Sequence, residues 1–556
     1  MRIAIRPDGA EWTASPLQCR TALPLENSRF MPASATISYL SFAGPDGQTL
    51  FSNLNLSFGQ GRTGLVGRNG VGKTTLLRLI AGELQPASGS VSLSGRMGIL
   101  RQQVQPADGE TIADLFDARD GLALLGKAVS GEASLEELGE VDWTLEARLE
   151  AALAQLALDA EADTLLSNLS GGQRTRAALA ALVFAEPDLI LLDEPTNNLD
   201  ADGRAAVADL LAGWRGAAIV VSHDRDLLER VDAIVELTSL GATTYGGGWS
   251  HYRERKSLEL QSAERDLDVA EREIREAARK AQDARERQAQ RDAGGRRKAA
   301  KGDMPKILLG GMKRRAEATA GGLDTLAQKQ ANSAEAEAKA AREKIEVLTP
   351  FSVKLASSNL PGTKMVLRVE DLTGGYVEDQ PILRDFSLEI IGPERVAILG
   401  ANGSGKSTLL KLVTGALQPQ AGKVQFGGAY ALLDQQVSLL DRDVSIVENF
   451  RRLNPDSSEN DCRSVLAAFG FRADAALQKA GTLSGGEVLR AGLACVVGGR
   501  TPPILIVLDE PTNHLDVEAV EKIEAGLRAF DGAILVISHD RTFLDNIGVT
   551  REVLLG

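Results

Sequence analysis

The chain has 556 residues, is 43% apolar and 25% charged, and carries a formal net charge of −14. That is too long for one core and suggests two to four domains of ordinary soluble composition. No stretch approaches eighteen consecutive apolar residues, which argues against a membrane-spanning helix, and the opening MRIAIRPDGAEW lacks the apolar run of a secretory signal. Cys19, Cys462 and Cys495 form no CxxC pair and only four histidines are present. Zinc modules are therefore excluded, and reduced thiols in a cytoplasmic protein are expected.

Residues 1–30 carry neither a helical nor a strand period and read as a disordered extension, or as an upstream start chosen in error. From Met31 a unit begins in which apolar runs at 64–66, 189–192 and 218–221 read as buried parallel strands, and 74–81 as a helix following the first. Strands alternating with helices imply a parallel α/β sheet. An acidic excursion, EASLEELGEVDW, lies within 104–168.

Beyond 250 the pattern changes. Ala263, Leu267, Ala270, Ile274, Ala277, Ala281 and Ala284 are spaced three and four apart, which is a heptad seam; Ala327, Ala331, Ala334, Ala338, Ala341, Ile345 and Leu348 form a second. The two predict an antiparallel helical hairpin over 251–350. Its return is expected near 293–322, where the glycine pairs 294–295, 310–311 and 321–322 fall. A helix of about 35 residues would stand the return roughly 50 Å out. Residues 291–315 hold nine Lys or Arg against two Asp, in an otherwise acidic chain. Such a segment is either a solvated tip or a probe for phosphate.

After the hairpin the first unit returns. GRNGVGKTT at Gly67 recurs as GANGSGKST at Gly400, LSGGQ at Leu169 as LSGGE at Leu483, LILLDEPTNNLD as LIVLDEPTNHLD, and VVSHDR as VISHDR. The order is kept, and so is the 29-residue spacing from Lys73 to Gln102 and from Lys406 to Gln435. Two copies of one domain, 31–250 and 351–556, are expected.

Each block has a chemical reading. In G-x-x-x-x-G-K-[ST] the glycines let backbone N–H groups turn around an anion, the lysine reaches β- and γ-phosphates and the hydroxyl binds Mg²⁺. Here these are Gly67, Asn69, Gly70, Gly72, Lys73, Thr74 and Thr75, then Gly400, Asn402, Gly403, Gly405, Lys406, Ser407 and Thr408. Asp193–Glu194 and Asp509–Glu510 end apolar strands. The aspartate can hold Mg²⁺ and the glutamate can polarise an attacking water. Ser170, Gly171 and Gly172, with Ser484, Gly485 and Gly486, stand ahead of helices, where an N-cap or a second anion site would lie. His223 and His539 recur at matched spacing and read as γ-phosphate contacts rather than structural histidines.

The whole set resembles the ATP-binding cassette ATPases, in both copies. The resemblance implies an α/β fold with two P-loop cassette domains, here joined by an antiparallel α-helical hairpin linker. It further implies ATP and Mg²⁺ as ligands, ATP hydrolysis, and an intramolecular head-to-tail cassette dimer in a monomeric chain. One site would join Lys73, Gln102, Asp193, Glu194 and His223 to Ser484, Gly485 and Gly486. The other would join Lys406, Gln435, Asp509, Glu510 and His539 to Ser170, Gly171 and Gly172. Gln102 and Gln435 would join Thr74, Ser407 and the aspartates at the metal, and Phe42 and Tyr376 would stack on adenine.

EPTNNLD and EPTNHLD, the linker entry YGGGWSHY and the lack of a membrane segment resemble the ABC-F branch. That branch implies binding to the ribosome, with the linker reaching toward peptidyl-tRNA and the peptidyl transferase centre. The basic segment 291–315 would then meet ribosomal RNA or tRNA, and the acidic excursion would match the family's arm, facing a basic ribosomal protein. Asn198 departs from the family's histidine and Glu487 from its glutamine. The rival is a fused nucleotide-binding subunit of a membrane transporter, which leaves the charged hairpin unexplained. A non-catalytic ATP-gated clamp is disfavoured by the presence of both glutamates.

Overall fold

The computed structural model describes residues 33–299 and 356–555, except 45–46, 48, 101–106, 108, 198, 378–379, 472 and 514. Residues 1–30, Gln102, Asn198, the second seam and 300–315 of the basic segment lie outside the described residues.

The first copy is built from β1 (Ser34–Ala43), β2 (Thr49–Phe58), β3 (Arg62–Val66), β4 (Ser88–Ser94), β5 (Met97–Leu100), β6 (Leu189–Asp193), β7 (Ala217–Val221), β8 (Ala233–Thr238) and β9 (Gly241–Gly246). A three-stranded antiparallel sheet has the order β2-β1-β4. A six-stranded sheet has the order β5-β6-β7-β3-β8-β9, parallel except for β9.

The second copy repeats the plan with β10 (Met365–Gly374), β11 (Leu383–Ile391), β12 (Arg395–Leu399), β13 (Ala421–Phe426), β14 (Tyr430–Leu433), β15 (Leu505–Asp509), β16 (Ala533–Ile537) and β17 (Arg551–Leu554). Its sheets are β11-β10-β13 and the all-parallel β14-β15-β16-β12-β17.

The central parallel strands β6, β7, β15 and β16 are apolar except for the aspartates that end β6 and β15, because both their faces are covered. Ile190, Leu192, Ala218 and Val220 point into a core shared with the helical side. Leu189, Leu191, Ala217, Ile219 and Val221 point into a second core beneath the antiparallel sheet and the helix Lys73–Ile80. Ile506, Leu508, Ile534 and Val536 are divided from Leu505, Val507, Ala533, Leu535 and Ile537 in the same way. The two-residue period of a strand thus feeds two cores from one apolar run.

The acidic excursion forms the short helix Leu135–Glu140, capped by Ser134, whose hydroxyl accepts from the Glu137 N–H at 3.2 Å. Leu135 and Trp143 flank it and are exposed.

The linker begins as one helix, Trp249–Ala299, of 51 residues. It is longer than expected and continues through Gly294 and Gly295, where a return was expected. Two glycines cost about 2 kcal/mol of helix propensity, a cost that their Arg-, Lys- and Ala-rich surroundings tolerate. Ala263 and Ala270 of the first seam are buried. Leu267 and Ile274 are half-buried, while Arg265, Asp266, Arg272 and Glu273 are exposed. The seam is therefore the inward side of this helix.

Candidate functional site

Each phosphate loop runs from a sheet strand into a helix: β3 into Lys73–Ile80, β12 into Lys406–Val413. The loops can close this tightly because Gly67 and Gly400 both hold φ 153. A Cβ on Gly67 would stand 2.3 Å from the Leu237 carbonyl oxygen, and one on Gly400 2.4 Å from that of Leu555. Gly70 and Gly403, then Gly72 and Gly405, complete the turns. Thr74 and Thr75, like Ser407 and Thr408, open the first helical turn beside the lysines.

Lys73 is buried and folds back over its loop, donating from Nζ to the Gly67 carbonyl at 2.7 Å and the Arg68 carbonyl at 3.1 Å. Lys406 does the same to Gly400 at 2.7 Å and Ala401 at 2.8 Å. Burial lowers the pKa of both ammonium groups, opposed for Lys73 first by Glu194 and for Lys406 first by Glu510.

At the strand ends, burial raises Asp193 and Asp509 above the usual carboxylate range. The Thr74 side chain hydrogen-bonds Asp193. Asp193 Oδ1 and Asp509 Oδ1 are buried without a hydrogen-bond partner. An unpartnered buried carboxylate oxygen next to a hydroxyl fits a hard divalent cation. Among the described residues no group of three or more His, Cys, Asp or Glu gathers as a metal cage. A cation here would therefore lean on one carboxylate, one hydroxyl and phosphate oxygens, the pattern that suits Mg²⁺.

Glu194 and Glu510 sit one residue further on, with φ of 51 and 46. Non-glycine residues seldom take this left-handed conformation. The backbone is pinned there because Glu194 N–H donates to Val221 and Glu510 N–H to Ile537, each at 2.9 Å. The backbone N–H groups of His223 and His539 face the two carboxylates and favour their charged forms. Burial lifts Glu194 to about 8, opposed first by Lys73. It lifts Glu510 to about 7, opposed first by Arg204 of the other copy.

His223 Nε2 lies 3.1 Å from Glu194 Oε1. His539 Nε2 lies 3.4 Å from Glu510 Oε1 and makes no hydrogen bond. Burial lowers both imidazoles, His539 to about 4. These contacts therefore join a neutral ring to a carboxyl group whose pKa burial has raised toward neutrality, and they are not ion pairs of two full charges. Unpartnered buried atoms concentrate here: His223 Nδ1, Glu510 Oε2, Thr512 Oγ1 and His539 Nε2 join the two aspartate oxygens.

The copies interlock. Asp516 Oδ2 accepts from Asn69 N–H at 2.8 Å, and Asp200 Oδ2 from Asn402 N–H at 3.3 Å. Both aspartates close the repeated LDEPTN-x-LD blocks, and the motif reading gave them no role. A cavity of about 360 Å³ gathers Lys406, Ser407, Gln435, Asp509, Glu510 and His539, with Leu199 of the first copy in its wall. Arg490, on the helix that Ser484, Gly485 and Gly486 begin, is close enough to Asp516 and Arg68 for their charges to bear on it. Ser170 caps the helix Gly171–Phe184 through Gln173, while the Ser484 hydroxyl donates to Glu487 at 2.7 Å. The aromatic candidates differ. Phe42 packs half-buried on its core, whereas Tyr376 is exposed beside the loop helix, its hydroxyl accepting from Lys411 Nζ at 3.2 Å.

A phosphate loop, a strand-end Asp–Glu pair, a following histidine and a serine–glycine helix start, all present twice, define an ATP-binding cassette protein. The domain family described as ABC transporter matches residues 51–197 and 383–513. The chain is 32% identical over 530 residues to the energy-dependent translational throttle protein EttA of Mycobacterium tuberculosis, covering 90% of this chain and 87% of that one. It is 31% identical over 533 residues to the tylosin resistance ATP-binding protein TlrC of Streptomyces fradiae, covering 89% and 93%. It is also 31% identical over 525 residues to ABC transporter F family member 5 of Arabidopsis thaliana, covering 87% and 70%. Among solved structures, RNase-L Inhibitor superposes with TM-score 0.57 at 17% identity, covering 93% of this chain and 87% of that one, and shares the fold. The chain belongs to the ABC-F family of twin-cassette ATPases.

Proposed function

We propose that this protein is a cytoplasmic, ribosome-associated ATPase that acts in translation or in ribosomal protection against an antibiotic. Two composite sites each take ATP with Mg²⁺. The observation that carries the reading is the repeated cluster of buried, unpartnered carboxylate and imidazole atoms at the strand ends beside each lysine. Such atoms are costly unless a ligand completes them.

Lys73 and Lys406 release their loop carbonyls to meet β- and γ-phosphates, while the loop N–H groups cradle the same oxygens. Thr74 with Asp193, and Ser407 with Asp509, hold the cation, with Gln102 and Gln435 alongside. The bound Mg²⁺ supplies charge neutralisation of the phosphates. Glu194 and Glu510 orient the attacking water and take its proton, and His223 and His539 donate to the γ-phosphate. Ser170, Gly171 and Gly172, and Ser484, Gly485 and Gly486, close on the opposite nucleotide. Asp200 and Asp516 support that closure through their bonds to the phosphate loops. Phe42 and Tyr376 pack on the adenines.

The names of relatives support the ribosomal reading: one is a translational throttle, another confers tylosin resistance. The linker delivers the basic segment 291–315 to ribosomal RNA or tRNA, and the chain works as a monomer with an internal cassette dimer. No helix among the described residues is long and apolar enough to cross a membrane, and the transporter-subunit reading has no observation in its favour. ATP turnover with and without added ribosomes tests the proposal. Stimulation by ribosomes supports it; stimulation by membrane vesicles alone overturns it.

A further inference from the structure

The helix Val517–Ala529 follows directly on Asp516, which caps it by accepting from the Ala519 N–H at 2.8 Å. Glu518, Glu521 and Glu524 are three residues apart on this helix, so they share one face. Each meets an arginine from the first copy's side. Glu518 takes Arg68, of the phosphate loop, in a fork of 2.6 and 3.0 Å. Glu521 takes Arg253, of the linker helix, at 2.8 Å. Glu524 takes Arg225, two residues beyond His223, at 2.8 Å, both side chains being at most 7% exposed.

Among the described residues the row is found on one side only. The matching positions after Asp200 are Asp202, Ala205 and Ala208, and Ala401 stands where Arg68 does. Arg541, the counterpart of Arg225, pairs within its own copy with Glu552 at 2.6 Å. The linker base is also held to the first copy, through Tyr252 to Glu236 at 2.9 Å and Lys256 to the same carboxylate at 2.5 Å. Its start is therefore a pivot between the two copies.

We propose that the Glu518–Glu521–Glu524 face is a one-sided clasp that couples the nucleotide state of the Lys73 site to the angle of the linker helix. It rests on the reading of the Lys73 loop as an ATP site. A ligand that moves the loop moves Arg68 and Asn69. Both are bonded at the start of Val517–Ala529, which shifts as a rigid rod, and Arg253 passes that shift to the linker. The linker helix has 51 residues, and at 1.5 Å per residue it is a lever of roughly 75 Å, so a tilt of ~5° sweeps its end by about 7 Å. The Lys406 site, lacking the row, turns over without setting this angle.

The test is a distance measurement by pulsed electron–electron resonance on the full chain with spin labels at Ala212→Cys and Gln290→Cys. Cys19→Ser removes the thiol that lies outside the described residues, and Lys406→Ala confines nucleotide to the Lys73 site. ATP affinity is measured on the same samples. The clasp predicts a shift of several ångströms on ATP addition. Arg253→Gln should abolish most of that shift while changing ATP affinity by only about two- to fivefold, the worth of an exposed pair. Arg253→Glu with Glu521→Arg should restore it. An undiminished shift in Arg253→Gln, or none in the parent with ATP bound, overturns the clasp, as does a charge swap that binds ATP without restoring the response. Failure of the parent to bind ATP overturns the reading of the Lys73 loop, and the clasp with it.

Discussion

In the proposed mechanism Glu194 and Glu510 carry the chemistry in single side chains. Each is held at positive φ by a backbone bond to the neighbouring strand, and each is faced by the backbone N–H of the following histidine. A glutamine is isosteric and keeps those contacts but cannot take a proton. Glu194→Gln with Glu510→Gln should therefore lower ATP turnover by about 10²–10⁴-fold and leave ATP binding intact, as read by phosphate release and by titration with a fluorescent nucleotide. Unreduced turnover would reject the assignment. The orphaned Asp193 and Asp509 oxygens make a second expectation. EDTA should stop turnover, and in the absence of nucleotide it should leave the melting temperature unchanged, because no metal cage gathers among the described residues. Much of this site was legible in the sequence, since a phosphate loop tolerates few residue types and both copies repeat them. The positive φ of the glutamates was not, because any residue can be forced there by bonds its own segment does not reveal.

At the scale of elements, the central parallel strands were readable from apolar runs, and the first linker helix from its heptad seam; the second seam lies outside the described residues. The return was expected near 293–322; the first linker helix continues through Gly294–Gly295 to Ala299, and the rest of that range lies outside the described residues. A glycine pair weakens a helix by an amount that neighbouring residues can outweigh. The contacts of Val517–Ala529 were invisible, because Glu518, Glu521 and Glu524 read as the charged face of a surface helix until the other copy's arginines are placed opposite. The innermost pair gives a sharp expectation. Glu524→Ala strands Arg225 in a site that excludes water, and losing one partner of a buried pair costs about 3–5 kcal/mol. Arg253→Ala, at a half-exposed pair, should cost under about 1 kcal/mol. Urea unfolding of both variants checks the contrast. A further expectation concerns the helix begun by Gly171. Gly171→Asp should weaken nucleotide crosslinking to the second copy, whose Lys406 loop it would face, and spare the first, because a carboxylate there repels a γ-phosphate.

On the scale of the whole molecule, an acidic chain carries nine basic residues within 291–315, a segment that the long helix Trp249–Ala299 enters. Cassettes alone do not need that charge; the proposed contact with a partner made of phosphate would use it. Changing Arg296, Arg297, Lys298, Lys313, Arg314 and Arg315 to Glu should leave intrinsic ATP turnover nearly intact and remove its stimulation by ribosomes. Before the change, binding should weaken steeply with salt, as counterion release requires. The most direct test of the central claim is sedimentation of the Glu194→Gln, Glu510→Gln chain with purified ribosomes, with ATP and without it. ATP, by holding the cassettes closed, should carry the protein into the ribosome pellet at a salt concentration that strips the nucleotide-free form. A chain that binds ATP yet stays in the supernatant under both conditions would contradict it.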